Sequence, residues 1–398
     1  MIAVFLSPLY LLLNGYLLWR SLKWLGVCFP LFRVRAVMVM LTILYTMVAL
    51  SMVTAFFLPG GAVKRVLKQV SNYWLGVMLY LSIAVLTADL IRILTMMFAD
   101  QNWRMAEHLL LHRAAGVLCT LFVALVSLYG LYAARKIEVS HHEVTIDKDG
   151  GELSGLRIVL AADLHIGYNI GCSDIERLVN RINEQNPDLT VIAGDLFDNE
   201  YEALDDPEQL AKLLHGIESR YGTYAVYGNH DIEEPILAGF TFGYGEKKVS
   251  HPLMDALVKK AGIRLLRDEG VLIEDSFWLY GRPDAKRPGR GIEKRKTPEE
   301  FVEGMDLSRP LIVLDHQPGE LEELEAAGVD LDLCGHTHDG QLFPLSLITG
   351  WKWKNASGYL KVGRMHNIVT SGSGIFGPYM RVGTRAEISV IDVKFEKK

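Results

Sequence analysis

The sequence predicts an α-helical membrane anchor followed by an α/β domain. Three features carry that prediction: long uncharged apolar runs at the front, an uneven division of charge, and short apolar runs alternating with helix-like stretches behind. The 398 residues are 50% hydrophobic and 22% charged, which excludes a disordered chain, because this much apolar surface can be buried against the entropy of ordering. The length also accommodates more than one folded unit. The formal charge is −6, from 41 basic and 47 acidic residues. Residues 1–134 hold ten basic and three acidic side chains, so the front carries +7 and the remainder −13. A basic apolar front and an acidic back do not describe a nucleic-acid binder, and no nucleic-acid partner is expected.

Met1–Trp19, Ala36–Leu58 and Ala114–Ala134 contain no charged residue, and Tyr73–Phe98 contains only Asp89 and Arg92. About 20 apolar residues cross the hydrocarbon, so four transmembrane helices are expected within 1–135. Residues 136–152 read as a linker and 153–398 as the soluble domain. The first run lacks a basic leader and a small-residue cleavage site, so it reads as a span rather than a cleaved signal peptide. Four spans place the N-terminus and the soluble domain on one side. The flanking loops carry six basic residues against five, which leans towards an extracytoplasmic domain. Asp89 and Arg92 read as a self-neutralising pair three residues apart, with Arg92 reaching towards the interface. Cys28, Cys119, Cys172 and Cys334 are too few for a disulfide framework.

Beyond Leu153, the runs Leu156–Ala161, Leu189–Ala193, Thr223–Tyr227, Pro310–Leu314, Leu331–Cys334 and Asn367–Thr370 read as buried strands. Between several of them lie amphipathic stretches. One starts from a Ser173 cap and carries Ile175, Leu178, Val179 and Ile182 at helical spacing. Asp205–Ser219, His251–Ala261 and Gly319–Ala327 are comparable.

Polar residues that metals favour follow these strands. They are Asp163 and His165; Asp195 and Asp198; Asn229, His230 and Asp231; His316; and His336 and His338. Ligands gather outside the carboxyl ends of strands in open α/β sheets, so five segments would converge on one place. Such a set can hold two divalent ions sharing one carboxylate, which suits phosphoester hydrolysis by an activated hydroxide. The Asp/Asn/His mixture suits a borderline-hard ion, manganese first, with iron, zinc or magnesium as alternatives.

The series Asp163-Leu-His165, Gly194-Asp195-x-x-Asp198, Gly228-Asn229-His230-Asp231, His316 and Gly335-His336-Thr337-His338 resembles the calcineurin-like metallophosphoesterases over residues 153–398. That resemblance implies a four-layer α/β/β/α sandwich with two metal ions. Asp163, His165, Asp195 and His338 would hold one ion, and Asp195, Asn229, His316 and His336 the other. His230 would protonate the leaving group, with Asp198 orienting its ring, while Asp231 shapes the turn. Asp315-His316-Gln317-Pro318, Gly340-Gln341 and Ser371–Pro378 followed by Arg381 are most similar to membrane-anchored bacterial phosphoesterases of the UDP-diacylglucosamine hydrolase type. The implied location is a bacterial inner membrane. Asp339 stands where that family usually has Gly, and Ala162 where it usually has Ser.

Asp339 and Arg381 are read as substrate-side residues. Ser371–Pro378 has two readings, a phosphate-binding backbone loop or a tight turn before the strand Arg385–Val393. Leu342–Trp353, with Phe343, Leu345, Leu347, Trp351 and Trp353, reads as an exposed lip for an interface or acyl chain. The basic run within Arg282–Thr297 reads as a solvated loop. Four spans hold the site beside the bilayer, so the expected partner is a membrane lipid or lipid-linked phosphate with a phosphodiester or pyrophosphate bond. The alternatives are an anchored phosphatase of soluble phosphoproteins or nucleotides and a non-catalytic membrane sensor. The sequence does not set the oligomeric state.

Overall fold

The computed structural model describes residues 2–98, 108–233, 236–237, 240–241 and 249–396. Residues 99–107, whose Asp100, Arg104 and Glu107 enter the charge count, lie outside it. The chain divides into two compact units, one built on residues 1–132 and one on residues 133–235, 243–376 and 381–398.

The first unit contains α1 (Ile2–Cys28), α2 (Arg35–Phe57), α3 (Ala62–Phe98) and α4 (His108–Arg135), together with the β-hairpin of β5 (Ile236–Leu237) and β6 (Phe240–Thr241). Among the described residues, three helices are long and apolar enough to cross a membrane: Arg35–Phe57, Ala62–Phe98 and Leu110–Arg135. The expected count of four is therefore corrected to three. Helix α1 falls outside that count, and Asn14, Arg20 and Lys23 interrupt its apolar stretch. With three spans, the even-number argument for the domain's side no longer applies. The polar pair in α3 is also rearranged. Asp89, 8% exposed, accepts from Arg20 Nε of α1 at 2.8 Å and from Tyr16. Arg92 Nε lies 3.9 Å away and its side chain is half exposed. Asp89 thus ties two helices together rather than balancing its own turn.

In the second unit the expected linker 136–152 is mostly strand. Segment β1 (Ile137–Ile146) pairs in parallel, residue for residue, with β14 (Ala386–Phe395). It escapes sequence reading because it is an edge strand carrying His141, His142 and Glu143, with only Val144 and Ile146 buried. The first sheet adds β2 (Gly155–Ala161), β3 (Leu189–Ala193), β4 (Thr223–Val226) and β7 (Arg264–Leu265), in the order β1-β14-β2-β3-β4-β7. The second holds β8 (Glu269–Ile273), β9 (Phe277–Gly281), β10 (Leu311–Leu314), β11 (Leu331–Cys334), β12 (Gly358–Val362) and β13 (Met365–Val369), in the order β12-β13-β11-β10-β9-β8. Strands β2, β3 and β4 run parallel. Their crossovers are α5 (Cys172–Asn183) and α6 (Pro207–His215), as parallel pairing requires. Helix α5 starts one residue before the expected Ser173 cap, and Asp174 accepts the Gly171 N–H at 3.1 Å.

Period-two alternation explains the layering. Ile158, Leu160, Val191 and Val226 of the first sheet share one core with residues of the second. Those partners are Leu279 of β9, Ile312 and Leu314 of β10 and Leu333 of β11. The outward side of the second sheet, Tyr280, Leu311 and Val313, packs on Phe301 of a short helix (Pro298–Val302) and on Leu321 and Leu324 of another (Leu321–Ala326). Val159 and Ile192 face the other way in the first sheet. They are fully buried, as are Leu178, Ile182, Leu210 and Leu214 of its crossover helices. Helix, sheet, sheet and helix make the four layers implied by the sequence motifs.

A carboxyl is enclosed in the second sheet. Asp332 is 0% exposed and accepts from Asn367 Nδ2 at 2.9 Å. Burial, with Asp315 nearby, pushes its carboxyl from the ordinary 3.8 up to about 7. A carboxyl raised on folding binds its proton more tightly in the folded state. Its contribution is present below pH 3.8 and is lost as pH rises through about 7. Melting curves of the full chain from acid to neutral pH should show this loss, and Asp332→Asn should flatten it. An unchanged slope would contradict the assignment.

Candidate dinuclear metal centre

The candidate ligands follow five strand ends, three of them on a strained backbone. Asp163, His165, Asp195, His336 and His338 all have left-handed φ, between 47° and 73°. Each such non-glycine residue costs about 1–3 kcal/mol and persists only where its surroundings enforce it. Glycine is required at two neighbouring places. Gly194, at φ 80°, would place a Cβ 2.5 Å from His316 Nδ1, and Gly372, at φ 79°, one 2.7 Å from Asp163 Cβ.

These turns assemble two groups of donors. Asp163, His165 and His338 form one, and Asp195, His316 and His336 the other, each with its donor atoms within 4.8 Å of one another. Asp195 reaches both, since its Oδ2 lies 3.2 Å from His316 Nε2 and 3.8 Å from His165 Nε2. Asn229 Oδ1 joins the second group, 3.0 Å from His316 Nε2. The imidazole nitrogens converge: His165 Nε2 and His338 Nε2 stand 3.1 Å apart, as do His336 Nδ1 and His316 Nε2. Two nitrogens bound at about 2.0–2.1 Å to one ion are separated by about this distance. The donors therefore fit two divalent ions.

Electrostatics agree with that fit at three of the histidines. Burial lowers His165 to about 3 and holds His336 and His338 well below the ordinary imidazole value, so their lone pairs are available to a cation. Burial also raises Asp163 to about 7. Asp195 is opposed by burial, yet His316, His230 and His165 keep it well below the usual carboxylate range. Burial disfavours charge on His316 as well, but Asp195 outweighs it and raises that imidazole.

A surrounding shell fixes these donors. His316 Nδ1 donates to the Ala193 carbonyl at 2.8 Å, leaving Nε2 to the site. Asp163 accepts the His336 N–H at 2.9–3.0 Å. Asp231 accepts the N–H groups of Gly228 at 2.7 Å and Phe197 at 2.9 Å, shaping the turn. Asp315 accepts the His316 N–H at 2.8 Å and pairs with fully buried Arg282, also at 2.8 Å. Arg295 joins that pair at 3.2 Å. Removing one partner of a buried pair costs about 3–5 kcal/mol.

Two expectations change here. Arg381 is fully buried and donates to the carbonyls of Ser371, Gly372 and Gly374 at 2.8–3.0 Å and of Arg385 at 2.7 Å. It therefore braces the glycine-rich loop rather than facing substrate, and that loop follows its tight-turn reading. Asp339 is half-buried beside His338, and burial raises its carboxyl. The basic run is not simply solvated: Arg287 donates to the Asn229 carbonyl at 2.8 Å. Asp284 accepts the Lys286 and Arg287 N–H groups at 2.9 Å. Sequence reading missed Arg287 because a run of lysine and arginine carries no spacing signal.

His230 lies beside the metal groups, with its ring 5.2 Å from that of His165 and 4.4 Å from that of Phe376. Its Nδ1 is 2.6 Å from Asn199 Oδ1, while Asn199 Nδ2 donates to the Ile232 carbonyl at 2.8 Å. That second bond fixes the amide, so Oδ1 accepts and Nδ1 must donate. Sequence reading assigns the orienting role to Asp198, whose Oδ1 stands 4.0 Å from His165 Nδ1. The amide at 199 lies one residue beyond the motif, where spacing alone offered no signal. Asn199→Leu should lower kcat about tenfold or more with little change in KM, the usual cost of losing a supporting contact. Steady-state kinetics check this, and an unchanged kcat would remove Asn199 from that role.

Comparison with known proteins agrees with this geometry. Residues 156–340 match the calcineurin-like phosphoesterase family. The chain carries a calcineurin-like metallophosphoesterase domain. A "transmembrane protein with metallophosphoesterase domain" from Danio rerio is 32% identical over 287 residues, covering 70% of this chain and 62% of that protein. An uncharacterized metallophosphoesterase of Campylobacter jejuni is 28% identical, covering 61% of this chain and 60% of its own. The UDP-2,3-diacylglucosamine pyrophosphatase LpxG of Chlamydia trachomatis is 21% identical, covering 52% and 70%. The chain thus spans about 62% of the length of the transmembrane relatives it matches. The metallophosphoesterase domain lies behind three apolar helices, as in a membrane protein.

Proposed function

We propose that this protein is a membrane-bound, two-metal hydrolase of a phosphodiester or pyrophosphate bond in a lipid-linked substrate. The observation that carries this reading is Asp195, whose Oδ2 stands 3.2 Å from His316 and 3.8 Å from His165, within reach of both donor groups. Asp163, His165 and His338 would hold one ion, and Asn229, His316 and His336 the other, with Asp195 shared. Two ions held there would stabilise charge on the phosphoryl oxygens and make hydroxide available near neutral pH. His230 then acts as the acid. Asn199 keeps the proton on Nδ1, so the ring delivers its other proton, from Nε2, to the leaving oxygen. Arg287 keeps the Asn229 backbone in place while charge shifts.

The lipid-linked substrate rests on the apolar helices that precede this domain in the chain and on the pyrophosphatase activity that the name of the Chlamydia relative states. Manganese is the first candidate ion for this donor set. The test is turnover by full-length protein, purified in detergent and supplied with Mn²⁺, of a panel containing UDP-diacylglucosamine, a polyprenyl pyrophosphate, phospholipids and soluble phosphoesters. Preferential hydrolysis of one lipid-linked compound is expected. Equal or better turnover of soluble phosphopeptides or nucleotides would favour the anchored phosphatase instead.

A further inference from the structure

Beyond residue 132, seven large apolar side chains are exposed among the described residues, and five fall within nine positions: Phe343, Leu345, Leu347, Ile348 and Trp351. The other two, Leu253 and Tyr359, stand apart in sequence. Four of the five lie on the helix Leu345–Lys352, which has no buried residue at all. Trp351 is 90% exposed. A helix with this composition gains nothing from the core of its own domain, and such a concentrated apolar patch marks a contact surface.

Its ends identify the kind of surface. Trp351 and Trp353 alternate with Lys352 and Lys354, and Lys352 Nζ sits 4.9 Å from the Trp353 ring centroid. Aromatic rings interleaved with lysine suit the boundary between headgroups and acyl chains, where apolar bodies are buried and charged heads stay wet. The same chain carries three spanning helices. The last ends at Arg135, and strand β1 of the domain begins at Ile137, so one residue separates helix from strand. The segment is also continuous with the metal centre. It begins five residues after His338, and the Trp353 ring meets that of His336 edge-on at 5.5 Å.

We propose that the Phe343–Trp353 segment is a membrane-docking lip, seated in the interfacial region of the bilayer that holds the spans. The lip brings the rim of the metal centre to the headgroup layer. This inference rests on the membrane helices and does not require the lipid-linked substrate, so failure of either can be told from failure of the other.

The test uses the full chain in phosphatidylcholine–phosphatidylglycerol vesicles, with Cys28, Cys119 and Cys172 replaced by serine and buried Cys334 retained. An environment-sensitive fluorophore is placed at Leu347→Cys, Ile348→Cys or Trp351→Cys, and at the exposed control Glu299→Cys. Circular dichroism confirms folding of each variant. Shallow doxyl-lipid should quench the three lip probes and shift their emission to the blue, leaving the control unchanged. Lip probes quenched no more than the control would overturn the proposal. So would probes shielded from aqueous iodide yet indifferent to doxyl-lipid, because another protein surface would then be the occupant.

Discussion

Asp195→Asn is expected to lower turnover by about 10³-fold or more, the scale on which residues acting as one unit fail together. It should also reduce the metal content of the purified protein. The Asp195 carboxylate lies within 4 Å of an imidazole nitrogen of each donor group. An amide presents one neutral oxygen where two cations need shared negative charge, so both positions weaken together. Burial opposes the Asp195 charge, and neighbouring imidazoles hold it in place. Without that carboxylate, the largest influence raising His316 is also lost. Elemental analysis beside kcat checks the result, and a variant keeping full metal content and full turnover would contradict the shared role.

His230→Gln is the second large effect. General acid catalysis contributes about 10²–10⁴-fold, and the loss should depend on the leaving group. Esters of poor leaving groups such as alcohols need the proton and should lose the full factor. Nitrophenyl esters, whose leaving oxygen is stable as an anion, should lose little. A uniform loss across leaving groups would assign His230 to charge stabilisation instead. Asn199→Leu should reproduce the same leaving-group trend at smaller size, because Asn199 Oδ1 accepts from the His230 ring.

The strands and donors were legible because each combines a short apolar run with a metal-favouring residue at its end, and a parallel sheet brings those ends to one side. The four layers followed from the motifs. What escaped has local physical reasons. Strand β1 hides behind polar edge residues. Pro8, Asn14, Arg20 and Lys23 lie along α1, a helix whose N-terminal run looks fully apolar. The partner of Asp89 is 69 positions away on another helix. Arg381 reads as a phosphate ligand by charge, but its guanidinium is spent on backbone carbonyls. Asn199 and Arg287 act through hydrogen bonds that no spacing encodes.

The most direct test is metal counting joined to turnover, on the full-length protein in vesicles with a lipid-linked pyrophosphate as substrate. The predicted result is two divalent ions per chain, hydrolysis that falls as chelator strips them, and recovery when Mn²⁺ is returned. A single ion at full activity, or hydrolysis indifferent to chelation, would contradict a dinuclear centre built on Asp195.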